Sequence, residues 1–496
     1  MSQHVLARLL RQGSIYALGN LLLKASGLLL APLYLNTVLL PQAAYGYLVL
    51  LEATAQLLLP LLGLGMTTGL LRFATDVMQQ DRREAVPFTV LGIMLGGALL
   101  VGIGSWIGAP WLNQQLDWPD GVLILRLFGC YLAAKMLSSV PLAFLRLRER
   151  AALYTAAILL EAALLIGGVY YFLAHAHLGL RGVVQAMAVA SGSSALVLVG
   201  AMLRTIPRRW DYHLVGQLIR FGMPLALAGV ALPILHVGDR YLLDWLTGSE
   251  TVAIYGWAAR LSGVLNMLLV QSFQLAFAVI GLKTLGEQPE GEAVLHRRTF
   301  RHYATWGGWM ALVLSLGAYD ITALLASDSV YLKADPLVLP LSLGYLLFGL
   351  YNIFVNVLYA AGESRFIAWN VVGAGLLNIG LNLWWIPQMG AMGAALATVV
   401  AYGVLAGGAA WRALHVRPTT YPWRVLAIVV ALTVGLGLVG YETATWPIAA
   451  RLAGRVLLVL LYGLLIVVFR VYRYDELREG WQWLRQRLQT IRSITE

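Results

Sequence analysis

The sequence has few charged residues and a single cysteine, and each shortage excludes a class of protein. Charged residues make up 12% of the 496 residues, whereas soluble domains carry roughly 25%. With Cys130 as its one cysteine, the chain cannot form a disulfide framework or a cysteine-ligated metal cluster. No G-x-x-x-x-G-K-[ST] segment is present to bind nucleotide phosphates. We therefore expect no metal, no bound cofactor and no internal ATPase.

Hydrophobic residues are abundant instead, at 59% of the sequence with a mean hydropathy of +0.74. A membrane-spanning helix needs ~20 mostly apolar residues. Breaking the chain at proline, glycine and charge clusters predicts an all-α polytopic membrane protein with about fourteen transmembrane helices. The predicted spans are 14–36, 46–70, 87–109, 121–145, 151–174, 182–203, 217–245, 252–281, 302–326, 337–360, 366–386, 391–411, 424–442 and 452–471. The N-terminal segment lacks the pattern of a cleaved signal peptide, so we expect it to be retained.

Basic residues indicate the orientation of these spans. With the N-terminus placed in the cytoplasm, 26 of the 35 lysines and arginines fall in cytoplasmic segments, 4 in outer loops and 5 within spans. Cytoplasmic loops of membrane proteins are enriched in these residues. We therefore expect both termini in the cytoplasm and an even number of spans. The net charge of +11 then faces anionic lipid headgroups rather than a nucleic acid.

Two pairs of similar segments recur at nearly the same offset. GLRGVVQA begins at Gly179 and GAMGAALA at Gly390, while YGYLVLLEA begins at Tyr45 and YGWAARLSG at Tyr255. Each segment opens a predicted span from the outer side. The shared offset indicates that six spans are duplicated. Because six is even, the halves would have the same orientation and be related by an axis along the membrane normal, as is common in transporters.

The duplication predicts four regions. Residues 1–205 form an N-terminal six-helix bundle, 206–415 a C-terminal six-helix bundle, 416–472 the last two spans, and 473–496 a cytoplasmic tail. In the tail, apolar residues recur at helical spacing with arginines between them. This pattern predicts an amphipathic helix on the inner leaflet, and a solvated tail helix is the alternative.

The segment Gly13–Asp76 resembles the start of bacterial polysaccharide-biosynthesis membrane proteins. The shared features are Lys24 in the first span, an apolar run to a proline, a Tyr-Gly pair opening the second span, an LGLG kink and a Leu-Arg-Phe exit. FGMPLALAGVALPILHVGDRYLL, which begins at Phe221, resembles the seventh span of that family, and the two glycine-rich segments resemble its sixth and twelfth. By this resemblance the chain is identified as an oligosaccharide-lipid flippase of the multidrug/oligosaccharidyl-lipid/polysaccharide exporter superfamily.

The resemblance implies a fold, a location and an activity. Two six-helix bundles would form a V in the bacterial cytoplasmic (inner) membrane. By alternating access they would move undecaprenyl-diphosphate-linked oligosaccharide from the cytoplasmic to the outer leaflet for cell-surface polysaccharide biosynthesis, without an enzymatic reaction. The partners would be this lipid-linked glycan, the bilayer and other polysaccharide-assembly proteins. Coupling to a proton, to sodium or to no ion is left open. Fourteen-span members of the superfamily add two helices that hold a lipid tail.

Charged residues inside the spans are the candidate binding residues. Lys24 lies about ten residues from the inner end of its span, near the bilayer midplane. A charge there costs at least ~2.5–3.5 kcal/mol on insertion scales, so it needs an anion. The resemblance implies that the first, seventh and eighth spans line the central cavity. We predict that Lys24 and Arg260 bind the diphosphate, since both side chains are good phosphate donors.

The other ionisable residues of the spans receive two further assignments. The additional substrate-binding candidates are Glu52, His236 and Lys135. An ion pair of Glu52 with Lys24 or Arg260 that only fixes the bundle is the alternative. The candidates for an outer gate or for local ion pairs are Asp239, Arg240, Asp244 and Glu161.

Two other functions compete with a flippase. A multidrug or cation antiporter of the same superfamily would offer carboxylates to its cargo; Glu52 and Glu161 favour this reading, and Lys24 opposes it. A membrane-embedded glycan polymerase or ligase would need sizeable outer loops with catalytic groups, and the outer loops here are short. A non-transporting scaffold for a glycan-assembly complex is a further alternative.

Overall fold

The computed structural model describes residues 26–75, 82–271, 273–274 and 289–472, which are helical almost throughout. Within these residues there is no strand, and 13 segments are long and apolar enough to cross a membrane. The prediction of an all-α, multi-pass membrane protein is therefore confirmed. The first predicted span, 14–36, lies mostly outside the described residues, as does the tail 473–496.

After a four-residue helix at Ala31–Tyr34, the longer helices of the described residues follow the predicted spans in order. They are α1 Gln42–Leu62, α2 Met66–Thr75, α3 Val86–Leu116, α4 Gly121–Leu147, α5 Ala151–Val169, α6 Gly179–Leu203, α7 Tyr212–Thr247, α8 Ser249–Leu265, α9 Pro289–Leu325, α10 Asp335–Ala360, α11 Ser364–Met389, α12 Ala391–Val416, α13 Trp423–Glu442 and α14 Ile448–Val468. Tyr170–His175 continues α5, and Asn266–Val270 continues α8, each as a π-helical segment. At ~1.5 Å per residue, a helix of about 20 residues crosses a hydrocarbon core of ~30 Å, and α1 with α2, or α8 with its π-helical segment, reaches this length.

The chain forms two compact units. Unit 1 comprises Met1–Arg260, Thr322–Ala334 and Arg365–Ala401, and unit 2 comprises Leu261–Ile321, Asp335–Ser364 and Tyr402–Glu496. The predicted division into bundles at residues 205 and 415 stays a prediction.

A kink separates α1 from α2 in unit 1, at the LGLG segment. Leu64 and Gly65 have φ angles of 48° and 62°, the left-handed region that ends a helix. Gly222 of α7 packs directly against this turn, where a Cβ atom would lie 2.0 Å from the Leu64 carbonyl oxygen. Beyond the kink, the apolar core of unit 1 joins α2 to α3, α4, α6 and α7 through fully buried residues such as Val90 and Leu218.

The two glycine-rich repeat segments lie at helix starts with similar local geometry. Gly179 and Gly390 both have a φ of 56°, a conformation that favours glycine. Three residues later in each segment, Gly182 and Gly393 pack against the end of the preceding helix, at Phe172 and Trp385 respectively. The matching turns agree with the predicted duplication, while superposition of whole halves stays a prediction.

The Tyr-Gly segments bring α1 and α8 together in unit 1. A Cβ atom on Gly46 would lie 2.0 Å from the Ser249 carbonyl oxygen, and one on Gly256 would lie 2.5 Å from a Val49 methyl group. Small residues at such positions let membrane helices approach closely. This contact positions the central residues of both helices, which include Glu52 and Arg260.

In unit 2, α13 and α14 pack against α9. Their shared core includes Leu312, Val429 and Ile466, all buried. The Tyr462 hydroxyl donates to the Thr305 carbonyl oxygen at 3.0 Å, which ties α14 to α9.

Candidate substrate-binding site

Arg260 and Glu52 form an ion pair between α8 and α1. One guanidinium nitrogen of Arg260, Nη2, donates to both carboxylate oxygens of Glu52, at 2.8 and 2.6 Å. The Arg260 side chain is 15% exposed and that of Glu52 is 37% exposed. The ion pair therefore combines a mostly buried cation with a carboxylate that can be reached from one side.

Three further groups hold the Arg260 guanidinium. Nη1 donates to the Gly27 carbonyl oxygen at 3.3 Å. The rings of Tyr34 and Tyr45 lie 5.5 and 5.9 Å from the guanidinium carbon, within the range of cation–π attraction. Lys24 lies three residues before Gly27 in the sequence and outside the described residues. Its predicted role in diphosphate binding therefore stays a prediction.

Lys135 and Glu161 form a second ion pair in unit 1. Lys135 Nζ of α4 lies 2.5 Å from Glu161 Oε1 of α5, and the Ser191 hydroxyl of α6 donates to the same oxygen at 3.1 Å. The side chains are 23% and 7% exposed. The pair ties three helices together, which is one of the two roles predicted for Glu161. Substrate binding by Lys135 stays a prediction.

Asp239 of α7 carries a buried carboxylate. Its Oδ2 atom accepts hydrogen bonds from the hydroxyl groups of Tyr255 and Thr398, the latter at 3.4 Å. Its Oδ1 atom is buried and has no hydrogen-bond partner among the described residues. A buried carboxylate oxygen without a donor is costly unless it is protonated or faces a cation.

The other predicted residues of α7 lie close to Asp239 along the helix. Arg240 Nη1 approaches the His236 carbonyl oxygen at 3.4 Å, within the same helix. Asp244 is partly exposed near the end of α7. The structure thus clusters these residues on one helix, and neither the predicted gate nor substrate binding by His236 is tested by this arrangement.

Sequence analysis missed an acidic and basic cluster in unit 2. Asp320 of α9 is contacted by two arginines of α14: Arg451 Nη2 lies 2.7 Å from its Oδ1 atom, and Arg455 Nη1 contacts Oδ2. Arg455 also donates to the Thr443 hydroxyl at 3.1 Å. Arg451 and Arg455 are two of the four basic residues counted in outer loops, although the predicted span 452–471 already contains Arg455, and α14 begins at Ile448. Their spacing of four residues on one helix face was the available signal.

The chemistry of the Arg260 site suits an oxyanion. A guanidinium presents parallel N–H donors that match a carboxylate or a phosphate equally well. The carboxylate now bound there belongs to the protein, and it is the more exposed partner. The arrangement can therefore exchange an internal anion for an external one without moving the guanidinium.

The fold and these charged residues define a class of protein, the multi-pass membrane proteins that carry polar residues on helices inside the membrane. Solved structures with a similar fold belong to that class. The lipid II flippase MurJ in an inward closed conformation is 13% identical, the alignment covers 92% of this chain and 98% of that chain, and the TM-score is 0.72. An inward-facing multidrug resistance MATE family transporter of the MOP superfamily is 14% identical, over 82% of this chain and 96% of that chain, with a TM-score of 0.64.

A third similar structure is a MOP superfamily transporter from Pyrococcus furiosus, described as having a binding pocket of reverse polarity. It is 14% identical, the alignment covers 83% of this chain and 96% of that chain, and the TM-score is 0.59. A comparison with curated protein sequences found no match.

The sequence profile of the family described as "Polysaccharide biosynthesis protein" matches residues 9–278, more than half of the chain. The chain belongs to this polysaccharide biosynthesis family and has the fold shared by MOP-superfamily flippases and transporters. The matched region contains Glu52, Lys135, Asp239 and Arg260.

Proposed function

We propose that this protein is a flippase that moves undecaprenyl-diphosphate-linked oligosaccharide from the cytoplasmic to the outer leaflet of a bacterial inner membrane. Membership of the polysaccharide biosynthesis family supports this proposal. So does the fold it shares with the lipid II flippase MurJ. It acts as a transporter and makes or breaks no covalent bond of the glycan.

The ion pair of Arg260 with Glu52 is the observation that carries the proposal. A lipid-linked diphosphate brings at least two negative charges into a low-dielectric region, where it needs a cation already in place. Arg260 supplies a guanidinium that Gly27, Tyr34 and Tyr45 hold in position. In the absence of substrate, Glu52 satisfies this charge. The diphosphate displaces Glu52 on binding, and Glu52 restores the pair when the lipid leaves.

A multidrug or cation transporter is the second candidate function. It is favoured by the fold shared with MATE transporters and by the exposed part of Glu52, because a cationic drug would seek that carboxylate. The two functions differ in which partner of the pair meets the cargo. A flippase uses Arg260, and a cation exporter uses Glu52.

Reconstitution separates these functions. Purified protein in proteoliposomes should increase the fraction of a lipid-linked oligosaccharide that an added glycosidase can reach from outside, and Arg260→Gln should abolish this increase. In a deletion strain, Arg260→Gln should also lose surface polysaccharide at an unchanged protein level in the membrane. A protein that leaves the glycan lipid unmoved, but exports a cationic dye in a manner dependent on Glu52, would be an exporter.

The orientation required for flipping in this direction can be tested separately. Reporter fusions at Arg148, Arg297 and the C-terminus should report the cytoplasm, and fusions at Asp117 and Asp328 should report the outer side. The asymmetry of basic residues motivates this expectation. A C-terminus on the outer side would require an odd number of spans and would contradict the predicted duplication.

A further inference from the structure

A basic cavity lies in unit 2, between the first turns of α9 and the loop that leads into α13. Its volume is about 460 Å³, and its walls include Arg297, Arg298 and Arg301 on the helix with Thr420 and Tyr421 on the loop. None of the described residues that line it is acidic. The cavity therefore concentrates positive charge.

Two of the three arginines, Arg297 and Arg301, are held in place by neighbouring groups. Arg297 Nη1 donates to the Thr420 hydroxyl at 3.4 Å, which joins the helix to the loop. The Arg301 guanidinium carbon lies 5.1 Å from the centre of the Tyr472 ring. Guanidinium groups that are ordered in advance lose less conformational entropy when they bind an anion.

An aromatic cluster fixes the loop side of the cavity. The Tyr421 ring is 8% exposed and packs against Phe354 and Phe300, with ring centres 5.1 and 5.4 Å away. Trp423 contacts Phe300 from the start of α13, at 5.3 Å. The cavity wall is thus built on packed rings and does not depend on a loose surface loop.

The length of α9 and the position of Trp306 indicate that the cavity lies at the level of the lipid headgroups. α9 has 37 residues and is about 55 Å long, whereas the hydrocarbon core is ~30 Å thick. Trp306, which is 57% exposed, marks the position where aromatic side chains meet the membrane–water interface. Arg301 lies between one and two helical turns from Trp306, towards the start of α9. Arg297 lies between two and three turns from Trp306 in the same direction. Val294 at the rim adds an exposed apolar surface.

We propose that this cavity binds the phosphate of an anionic phospholipid in the leaflet on which this end of α9 lies. Guanidinium forks suit a phosphodiester, and basic pockets at this level of the membrane attract acidic headgroups. A phospholipid fits the position better than the transported lipid does, because Arg297 and Arg298 are exposed at the interface, whereas the proposed diphosphate partner Arg260 lies mid-helix in unit 1. The bound lipid would anchor α9 and the start of α13 to that leaflet.

Lipid binding to the purified full-length protein in a neutral detergent tests this assignment. The probes are dioctanoyl phosphatidylglycerol, dioctanoyl phosphatidylcholine, farnesyl diphosphate and inorganic phosphate. The test variant replaces Arg297, Arg298 and Arg301 with glutamine, and the matched control makes the same change at three exposed arginines of unit 1, Arg204, Arg208 and Arg209. A third variant replaces the cavity arginines with lysine.

We expect phosphatidylglycerol to bind at least ten-fold more tightly than phosphatidylcholine, and the test variant to lose roughly ten-fold or more of that affinity. The control variant should change the affinity for phosphatidylglycerol less than two-fold, and the lysine variant should keep most of that affinity. An equal loss in the control would show a diffuse charge effect and overturn the site. Preferential, arginine-dependent binding of farnesyl diphosphate or of inorganic phosphate would overturn the phospholipid assignment.

The flippase proposal is separated from this one by Arg260→Gln, which should leave phosphatidylglycerol binding unchanged. If the triple glutamine variant does not fold, Arg297→Gln alone answers the question, because Arg297 is exposed and its hydrogen bond to Thr420 is long, at 3.4 Å. Unchanged phosphatidylglycerol affinity in that variant, and equally in Arg298→Gln, would refute the proposal.

Discussion

Glu52→Gln should tighten the binding of a lipid diphosphate while it lowers the stability of the empty protein. The substitution keeps the size of the side chain and removes the charge that now occupies Arg260. If the diphosphate has to displace Glu52, its measured affinity includes the free energy of breaking the ion pair. Removing Glu52 removes that cost, so stability and affinity change in opposite directions.

The size of both effects follows from the burial of the pair. Removing one partner of a fully buried ion pair costs about 3–5 kcal/mol, and exposed pairs contribute about 1 kcal/mol or less. Arg260 is 15% exposed and Glu52 is 37% exposed, so we place the loss of stability at about 1–3 kcal/mol. Because 1.4 kcal/mol corresponds to a factor of ten in affinity, Glu52→Gln should lower the Kd for farnesyl diphosphate by about five-fold to a hundred-fold.

The assay is equilibrium binding of farnesyl diphosphate to purified protein, combined with thermal unfolding in the same detergent. Arg260→Gln should weaken binding by roughly ten-fold or more, since a hydrogen bond to a charged group contributes about 1.5–3 kcal/mol. The double variant should bind like Arg260→Gln, because Glu52 acts only through that guanidinium. Arg412 and Glu363, paired at 2.6 Å in unit 2, provide matched control substitutions that should not change affinity.

A purely structural ion pair gives a different pattern. Glu52→Gln and Arg260→Gln would each lower the unfolding temperature, the double variant would restore part of it, and diphosphate affinity would not change in any of the three. That pattern, or an Arg260→Gln protein with normal affinity, would refute the exchange of Glu52 for substrate.

Three other predictions follow from the remaining charged clusters. Glu161→Gln should lower the free energy of unfolding by about 3–5 kcal/mol, because it leaves Lys135 in the membrane without its carboxylate; thermal unfolding should show a smaller loss when Lys135→Met is added. Asp320→Asn should destabilise the protein by a similar amount through Arg455, with no change in diphosphate affinity, and an unaltered unfolding temperature would contradict the role of this cluster. If transport is coupled to an ion at Asp239, Asp239→Asn should abolish the dependence of flipping on a sodium or proton gradient in proteoliposomes; the dependence should survive Asp244→Asn.

Hydropathy predicted the spans well because a lipid-exposed helix must be apolar over its whole buried length. It predicted their ends less well, since residues at the interface can be polar. The span predicted to end at residue 109 is α3, which continues through Pro110 to Leu116. A proline interrupts a helix in water, but membrane helices tolerate it because neighbouring groups satisfy the freed carbonyl. Breaking the chain at prolines therefore shortened a continuous helix.

The sequence placed Glu52 and Arg260 within predicted spans, but which residues they pair with required coordinates. Glu52 and Arg260 are 208 positions apart, and the sequence alone allowed Glu52 to pair with either of two cations. Their contact depends on the close approach of α1 and α8 at Gly46 and Gly256. Both glycines belong to the repeat segments. The repeat indicated that α1 and α8 occupy equivalent positions in the two halves of the sequence, but it did not indicate that α1 and α8 pack against each other. Asp320 was overlooked although it lies in the predicted span 302–326, because Arg451 and Arg455 were counted as basic residues of an outer loop and not as partners inside the membrane.

The ion pairs of the described spans differ in how easily an ionic ligand could open them. In the Lys135 pair the carboxylate is 7% exposed, and in the Asp320 cluster it is 22% exposed and bound by two guanidiniums. Glu52 is 37% exposed and is the one carboxylate that forms an ion pair with Arg260 among the described residues. A carboxylate that is displaced from its cation must be solvated by water instead. Glu52 is the most exposed of the three carboxylates compared, so water can solvate it most easily. The same insertion cost that requires all these charges to be paired thus makes the Arg260 pair the one suited to exchange its anion.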